Sequence, residues 1–410
     1  MPKPLAFAAR VLTLMAGTAV VAAAQSAAVP MLRLTRGVEF PEAFSSVGGL
    51  HELPNGELLF LDRQEKRIVR LDFASGRVSD AARQGSGPLE FAPTGGFVRS
   101  PADRPLFQDI QQTRLLRFDA AGRPTGTVSL GSGMEAMMAM GAMLYADTAG
   151  RVYSLLRPMR MPSPRSGTMP TGQMTLDDSM TVVRFLPGDA RRDTVLRVRS
   201  PLSGTNTRYT TTPTLVTART TVPDGRSHDV FTFLRDGRIA VLSGSEYRVR
   251  FIGADGRETR GPLVPSQARP ITAAMQRAAV DSMRAQMARA KVESDKQRAE
   301  MLQRIPAGVD LPLPRTEFIV EAPERWQPEL PRWAALSSDG LGRLWVAVPS
   351  DLLGALAHID ILSPAGALLA RLEPPRDESM AGYTSAWVYT TRTDADGLVY
   401  LKRYPMPALR

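Results

Sequence analysis

The chain has 410 residues, 43% of them apolar and 22% charged, a make-up that supports a substantial core and excludes a disordered protein. It has no cysteine, which excludes a disulfide framework, a thiolate zinc site and a lipid-bearing cysteine. The formal charge is +10, but the arginines behind it, such as Arg191, Arg192, Arg284 and Arg298, are scattered and not interleaved with aromatics, so no nucleic-acid partner is expected.

Residues 1–24 differ in kind from the rest. Lys3 and Arg10 precede the apolar run VLTLMAGTAVVAAA, which ends in small residues before Gln25-Ser26. This reads as a signal peptide cleaved near Ala24; the run is short for a membrane span, and an uncleaved anchor is the competing reading. Cleavage leaves 49 basic against 41 acidic residues, or +8. The mature chain is expected to be an exported monomer, periplasmic or extracellular, with no further transmembrane segment. The next strand-like stretch, MLRLTRGVEF (Met31 to Phe40), belongs to no unit of its own.

Beyond it a short phrase repeats. LPNGELLFLDRQEKRIVRLDFASGRV (Leu53 to Val78) reads as a hairpin about Asn55-Gly56, two apolar strands and a turn at Ser75-Gly76 into a third. The run QGSGPLEF that follows (Gln84 to Phe91) lacks the Lys-Ser/Thr of a phosphate loop and the helix of a dinucleotide loop, and Pro88 removes a backbone donor. It therefore reads as the turn joining one unit to the next, with Gly85 and Gly87 allowing the reversal. The phrase returns from Arg104 to Leu130, with Asp109 in the place of Asp62; both aspartates are expected to cap hairpins.

Further copies begin at Ala149, Arg235, Gly340 and Asp394, anchored with the first two at Gly56, Asp103, Gly150, Gly237, Gly342 and Gly397. Insertions fall at about 157–174, 201–225 and 271–305. The second is Thr-rich and suits an extra hairpin. In the third, Met275, Ala279, Met283 and Met287 recur at helical spacing, predicting one rod or two broken near Val292-Glu293-Ser294, with the methionines packing it on a propeller face.

Units of about four short strands cannot bury both faces alone, whereas a radial arrangement does so and leaves few exposed edges. The expected fold is an all-β six-bladed β-propeller of four-stranded blades spanning residues 25–410. The last unit meets the C-terminus early, and Met31 to Phe40 is expected to supply its missing outer strand. The G-x-G-P-x-E-F phrase behind a first blade of this kind and an export signal resembles the bacterial secreted six-bladed propeller family related to the NHL-repeat proteins. Leu89 stands where that phrase often has glycine. The resemblance implies a fold and an export route, and for most members no activity.

Side chains from several blades converge only at inner-strand ends, where related propellers hold Ca²⁺ or Zn²⁺. Among the residues seven to ten places before each anchor, only His228 and Asp229 are usual metal ligands, and both belong to one unit. No metal or other cofactor is therefore expected. The same window predicts a ligand-binding mouth of His228, Asp229, Arg332, Trp333, Trp387 and Tyr389, suited to a peptide, glycan or small anion. Inter-blade packing is the equal alternative for Trp333 and Trp387. The sequence thus reads as a binding module for an unidentified protein, peptide or glycan. The alternative is a metal-dependent propeller hydrolase or lyase, lactonase-like or esterase-like, holding Ca²⁺ or Zn²⁺. A third reading has the 271–305 helix docking another envelope protein.

Overall fold

The computed structural model describes residues 29–130, 143–156, 159–160, 175–176, 179–189, 191–199, 207–212, 214–304 and 313–409. Residues 1–24, where a signal peptide is expected, and most of the 157–174 insertion lie outside them. Six sheets each carry four antiparallel strands in meander order. Their first strands are Gly48–Glu52, Gly95–Val98, Met143–Ala146, Val230–Phe233, Ala335–Ser338 and Ser379–Tyr383, and we number the sheets first to sixth in that order. First strands of the first and second, second and third, fourth and fifth, and sixth and first sheets touch. The fold is a β-propeller.

The repeat has a local cause. In the turn Asp147-Thr148-Ala149-Gly150-Arg151, Asp147 Oδ1 accepts the backbone N–H of Ala149 (3.0 Å) and Arg151 (2.9 Å), while Oδ2 takes Arg151 Nε at 2.7 Å. Asp339 does the same for Leu341 and Arg343, and Asp119 for Ala121 and Arg123. The fourth position must be left-handed, and the anchors Gly56, Gly150, Gly237, Gly342 and Gly397 have φ between +78° and +83°. Asp62 and Asp109 cap the next turn along, as expected. They are 2% and 0% exposed. Asp62 accepts the N–H groups of Gln64 and Glu65 and, 17 residues upstream, Ser45; Asp109 accepts those of Gln112 and, again 17 upstream, Ala92.

QGSGPLEF folds back on itself, with Gly85 N–H bonded to Phe91 O (3.0 Å). The Glu90 carboxylate accepts the Gly87 N–H (2.8 Å) and lies where a Cβ on residue 85 would be, only 2.0 Å from Oε2. An acid fills the space a bound phosphate would need.

The chain start closes the last sheet, but in two pieces. Val38–Phe44 pairs antiparallel with Val399–Pro405 as the outer strand of the sixth sheet, while Met31–Leu32 pairs parallel with Leu368–Leu372 as a fifth strand of the fifth sheet. The segment between them therefore crosses from one sheet to the next. Gly37 permits the crossing, because a Cβ there would sit 2.5 Å from the Tyr404 ring.

The second and third insertions build one structure. Thr207–Thr211 and Leu215–Thr221 form the expected hairpin, and Arg315–Glu321 adds to it in parallel. The helix α1 is a single rod, Ala273–Arg304, with Thr272 Oγ1 accepting the Met275 N–H at its start. It packs on Arg315–Glu321, where Met287 and Ala288 meet Phe318 and Val320, instead of on a propeller face. The methionine spacing defines a covered stripe, but the apolar surface opposite it comes from the inserted sheet, whose third strand follows the helix in sequence. Among the described residues no helix is long and apolar enough to cross a membrane.

Candidate binding cleft

The six residues of the sequence-derived mouth do not gather in one place. His228 and Asp229 precede the first strand of the fourth sheet, and Arg332 and Trp333 precede that of the fifth. His228 Nε2 lies 3.3 Å from Ala334 O, and its own carbonyl accepts Trp333 Nε1–H at 2.9 Å. Burial lowers the His228 pKa, partly offset by the Ala334 carbonyl and Asp229. Asp229 accepts the Arg199 N–H (2.7 Å), and Arg332 Nη1 donates to Ser245 O (2.5 Å). Trp333 is 0% exposed and belongs to the core between the fourth and fifth sheets.

Trp387 and Tyr389 stand on Trp387–Thr393, the second strand of the sixth sheet, not on the innermost strand where the anchor count placed them. The first hairpin of that sheet turns at Thr384, whose N–H bonds Trp387 O (2.9 Å), and Gly397 turns the second hairpin. Arg403 lies over the Trp387 ring (4.2 Å), and buried Tyr389 donates its hydroxyl to Glu52 (3.0 Å). Burial, reinforced by the Glu52 charge, raises the Tyr389 pKa.

The seams between sheets show where space remains. Between the fourth and fifth, Trp333 and Tyr247 lie with ring centroids 5.7 Å apart among Val249, Leu336, Leu344 and Val346. The Tyr247 hydroxyl donates to buried Asp360 at 2.8 Å. Between the fifth and sixth, Ile359, Ile361, Leu372, Val388 and Tyr404 pack together, but further along the seam the facing residues are small. Ala335, Ser337, Ala347, Ala357, Ala381 and Gly382 leave a cavity of about 870 Å³. Trp345 and Tyr383, with centroids 4.4 Å apart, form part of its wall, and Trp345 Nε1 is held by Asp339 (3.0 Å).

The polar groups in this cleft fall into two sets. Glu378 is spoken for: it accepts Thr390 Oγ1 (2.6 Å), Lys402 Nζ (3.0 Å) and Tyr404 OH (2.9 Å). Burial alone would raise its pKa, yet these bonds and the Lys402 charge hold it below the usual carboxylate value. By contrast the hydroxyls of Ser337, Ser379 and Tyr383 line the cleft and engage no hydrogen-bond partner among the described residues. Burial raises the Tyr383 pKa, so the phenol keeps its proton and remains a donor. None of the three was singled out from the sequence, because a serine or tyrosine on a strand carries no signal until its neighbours are known.

No family model and no curated protein matches the chain. It is similar to a solved member of the DUF4221 family from Bacteroides vulgatus (10% identity over 92% of this chain and 98% of that one, TM-score 0.48). It is also similar to a gluconolactonase from Xanthomonas campestris (11%, 90% and 91%, TM-score 0.40) and to virginiamycin B lyase from Staphylococcus aureus (9%, 91% and 99%, TM-score 0.38). At these identities and scores the likenesses say nothing of activity, and the propeller stands on its own strand pairing. A metal of the kind used by propeller hydrolases needs several converging carboxylates or imidazoles. Among the described residues no three His, Asp or Glu side chains form such a group.

Proposed function

We propose that this chain is a propeller binding module that takes a small organic ligand, part apolar and part hydrogen-bonding, into the cleft between the fifth and sixth sheets. The observation behind this reading is the set of three unengaged hydroxyls in a cavity of about 870 Å³. That size falls within the range of small-molecule sites, and a mostly apolar wall with few polar groups is their usual make-up. Export, read from residues 1–24, would place the module outside the cytoplasm.

The test is a thermal-shift screen of small organic compounds on the mature protein and on A335W, which puts an indole into the cleft. Compounds that stabilise the wild type should lose their effect in A335W, and in Y383F their affinity should fall about threefold to tenfold for one lost hydrogen bond. If folded A335W keeps every ligand shift, the cleft is not the site. Stoichiometric Ca²⁺ or Zn²⁺ in the purified protein would instead favour the metal-dependent hydrolase or lyase alternative.

A further inference from the structure

We propose a second site, for a small oxyanion, at the end of the propeller axis marked by Arg99. Arg99 follows the first strand of the second sheet, Gly95–Val98. Its Nη1 donates to Thr232 Oγ1 (3.0 Å) and its Nη2 to both the carbonyl and the hydroxyl of Ser338 (2.7 Å each). Thr232 and Ser338 lie on the first strands of the fourth and fifth sheets. A side chain of the second sheet reaches both only by crossing the axis. The residue keeps solvent-exposed surface although the surrounding ring desolvates it and lowers its pKa, against the pull of Tyr145 and Asp339, as for a group inside a water-accessible channel.

Its partners there are neutral oxygens, and among the described residues Arg99 forms no ion pair. Arg235, two positions past Val230–Phe233, reaches the same place from the fourth sheet: its Nη1 donates to Gly340 O (3.4 Å), and it too has no ion pair among the described residues. Two guanidinium groups thus bond residues only two positions apart, Ser338 and Gly340. The acids nearby are already committed. Asp339 is held by Arg343 and Trp345, Asp236 by Arg238, and Asp147 by Arg151.

An arginine has five N–H donors, and Arg99 Nε makes no hydrogen bond among the described residues. An uncompensated charge with free donors between protein walls attracts an anion more strongly than one on an open surface. The planar fork of the guanidinium matches carboxylate and phosphate oxygens. Strand alternation keeps this site apart from the cleft, since Ser337 faces the cleft and its neighbour Ser338 faces Arg99.

The test is calorimetric titration of the mature protein with inorganic phosphate and, separately, with succinate, at constant ionic strength. We expect saturable binding of one of them, about tenfold weaker in R99K, which keeps the charge and loses the fork, and weakened severalfold in R235Q. Which anion binds distinguishes a phosphate-bearing from a carboxylate-bearing ligand. Absence of saturable binding in both arms overturns the proposal, as does wild-type affinity in R235Q, a surface change that remains informative if R99K does not fold.

Discussion

The seam between the fourth and fifth sheets, whose first strands touch, differs from the seam between the fifth and sixth both in how closely those strands approach and in what fills it. In the first, two large aromatics enter from opposite sheets and each settles its polar atom, Trp333 on His228 O and Tyr247 on Asp360. In the second, alanine, glycine and serine stand between larger residues such as Trp345, Met380 and Tyr383 on the facing strands, and space stays open. The approach of the first strands and the side-chain volumes along the seam together decide whether it becomes core or cavity. A closed seam supplies stability; an open one is where a ligand can enter without displacing the fold.

That contrast can be broken most severely at Trp333. W333A should cost about 3–5 kcal/mol through a cavity in a filled seam, seen as a lowered urea midpoint with an unchanged slope. A cost under about 1 kcal/mol would mean the fourth–fifth seam is not the closed one. A closed seam should also respond to acid. His51, 7% exposed and beside Phe97 between the first and second sheets, has its pKa pushed down to about 4 by burial, against the weaker pull of the Ala102 carbonyl. The folded value lies below the unfolded 6.5, so the unfolded chain binds the extra proton first. The stabilisation is present above pH 6.5 and is lost as pH falls towards 4, by about 3 kcal/mol in all. Chemical denaturation across that interval should show the loss, and H51L should flatten it; equal slopes in both proteins would place the titration elsewhere.

The smallest effect is expected in the open seam. A347L adds three carbons to the cleft and should change stability by less than about 1 kcal/mol, because there is room for them. A loss above about 2 kcal/mol in the same urea assay would show that the space is not available to a side chain.

Much of the fold was legible because its punctuation is local. The Asp-x-x-Gly turn contains its own acceptor and its own left-handed residue, so the repeats announce themselves one at a time. The same property misled the count at the sixth unit. Its first hairpin is closed by Thr384 without a glycine, and the Asp394–Gly397 turn lies one hairpin later, which moved Trp387 and Tyr389 one strand outward. The cleft was illegible for a different reason: its alanines come from strands far apart in sequence, and no period connects them. Arg99 lies closer to its anchor Asp103 than the seven to ten places at which strand ends are expected, and only its reach across the axis distinguishes it from the other arginines. The two insertions could be recognised singly, but their union depends on a parallel pairing between residues on either side of the fourth sheet.

The crossing of the chain start from Leu32 to Val38 also sets the order of assembly. An early strand is the outer edge of a sheet whose remaining strands are made last, so Val38–Phe44 has no partner until Val399–Pro405 exists. Pairing opposite ends of a chain carries a large loop-closure cost and slows folding. Until that moment the sixth sheet lacks its outer strand, while the fifth already has Leu368–Leu372. Completion of the sixth sheet and completion of the ring are therefore one event, and a chain stalled before Val399 should have neither.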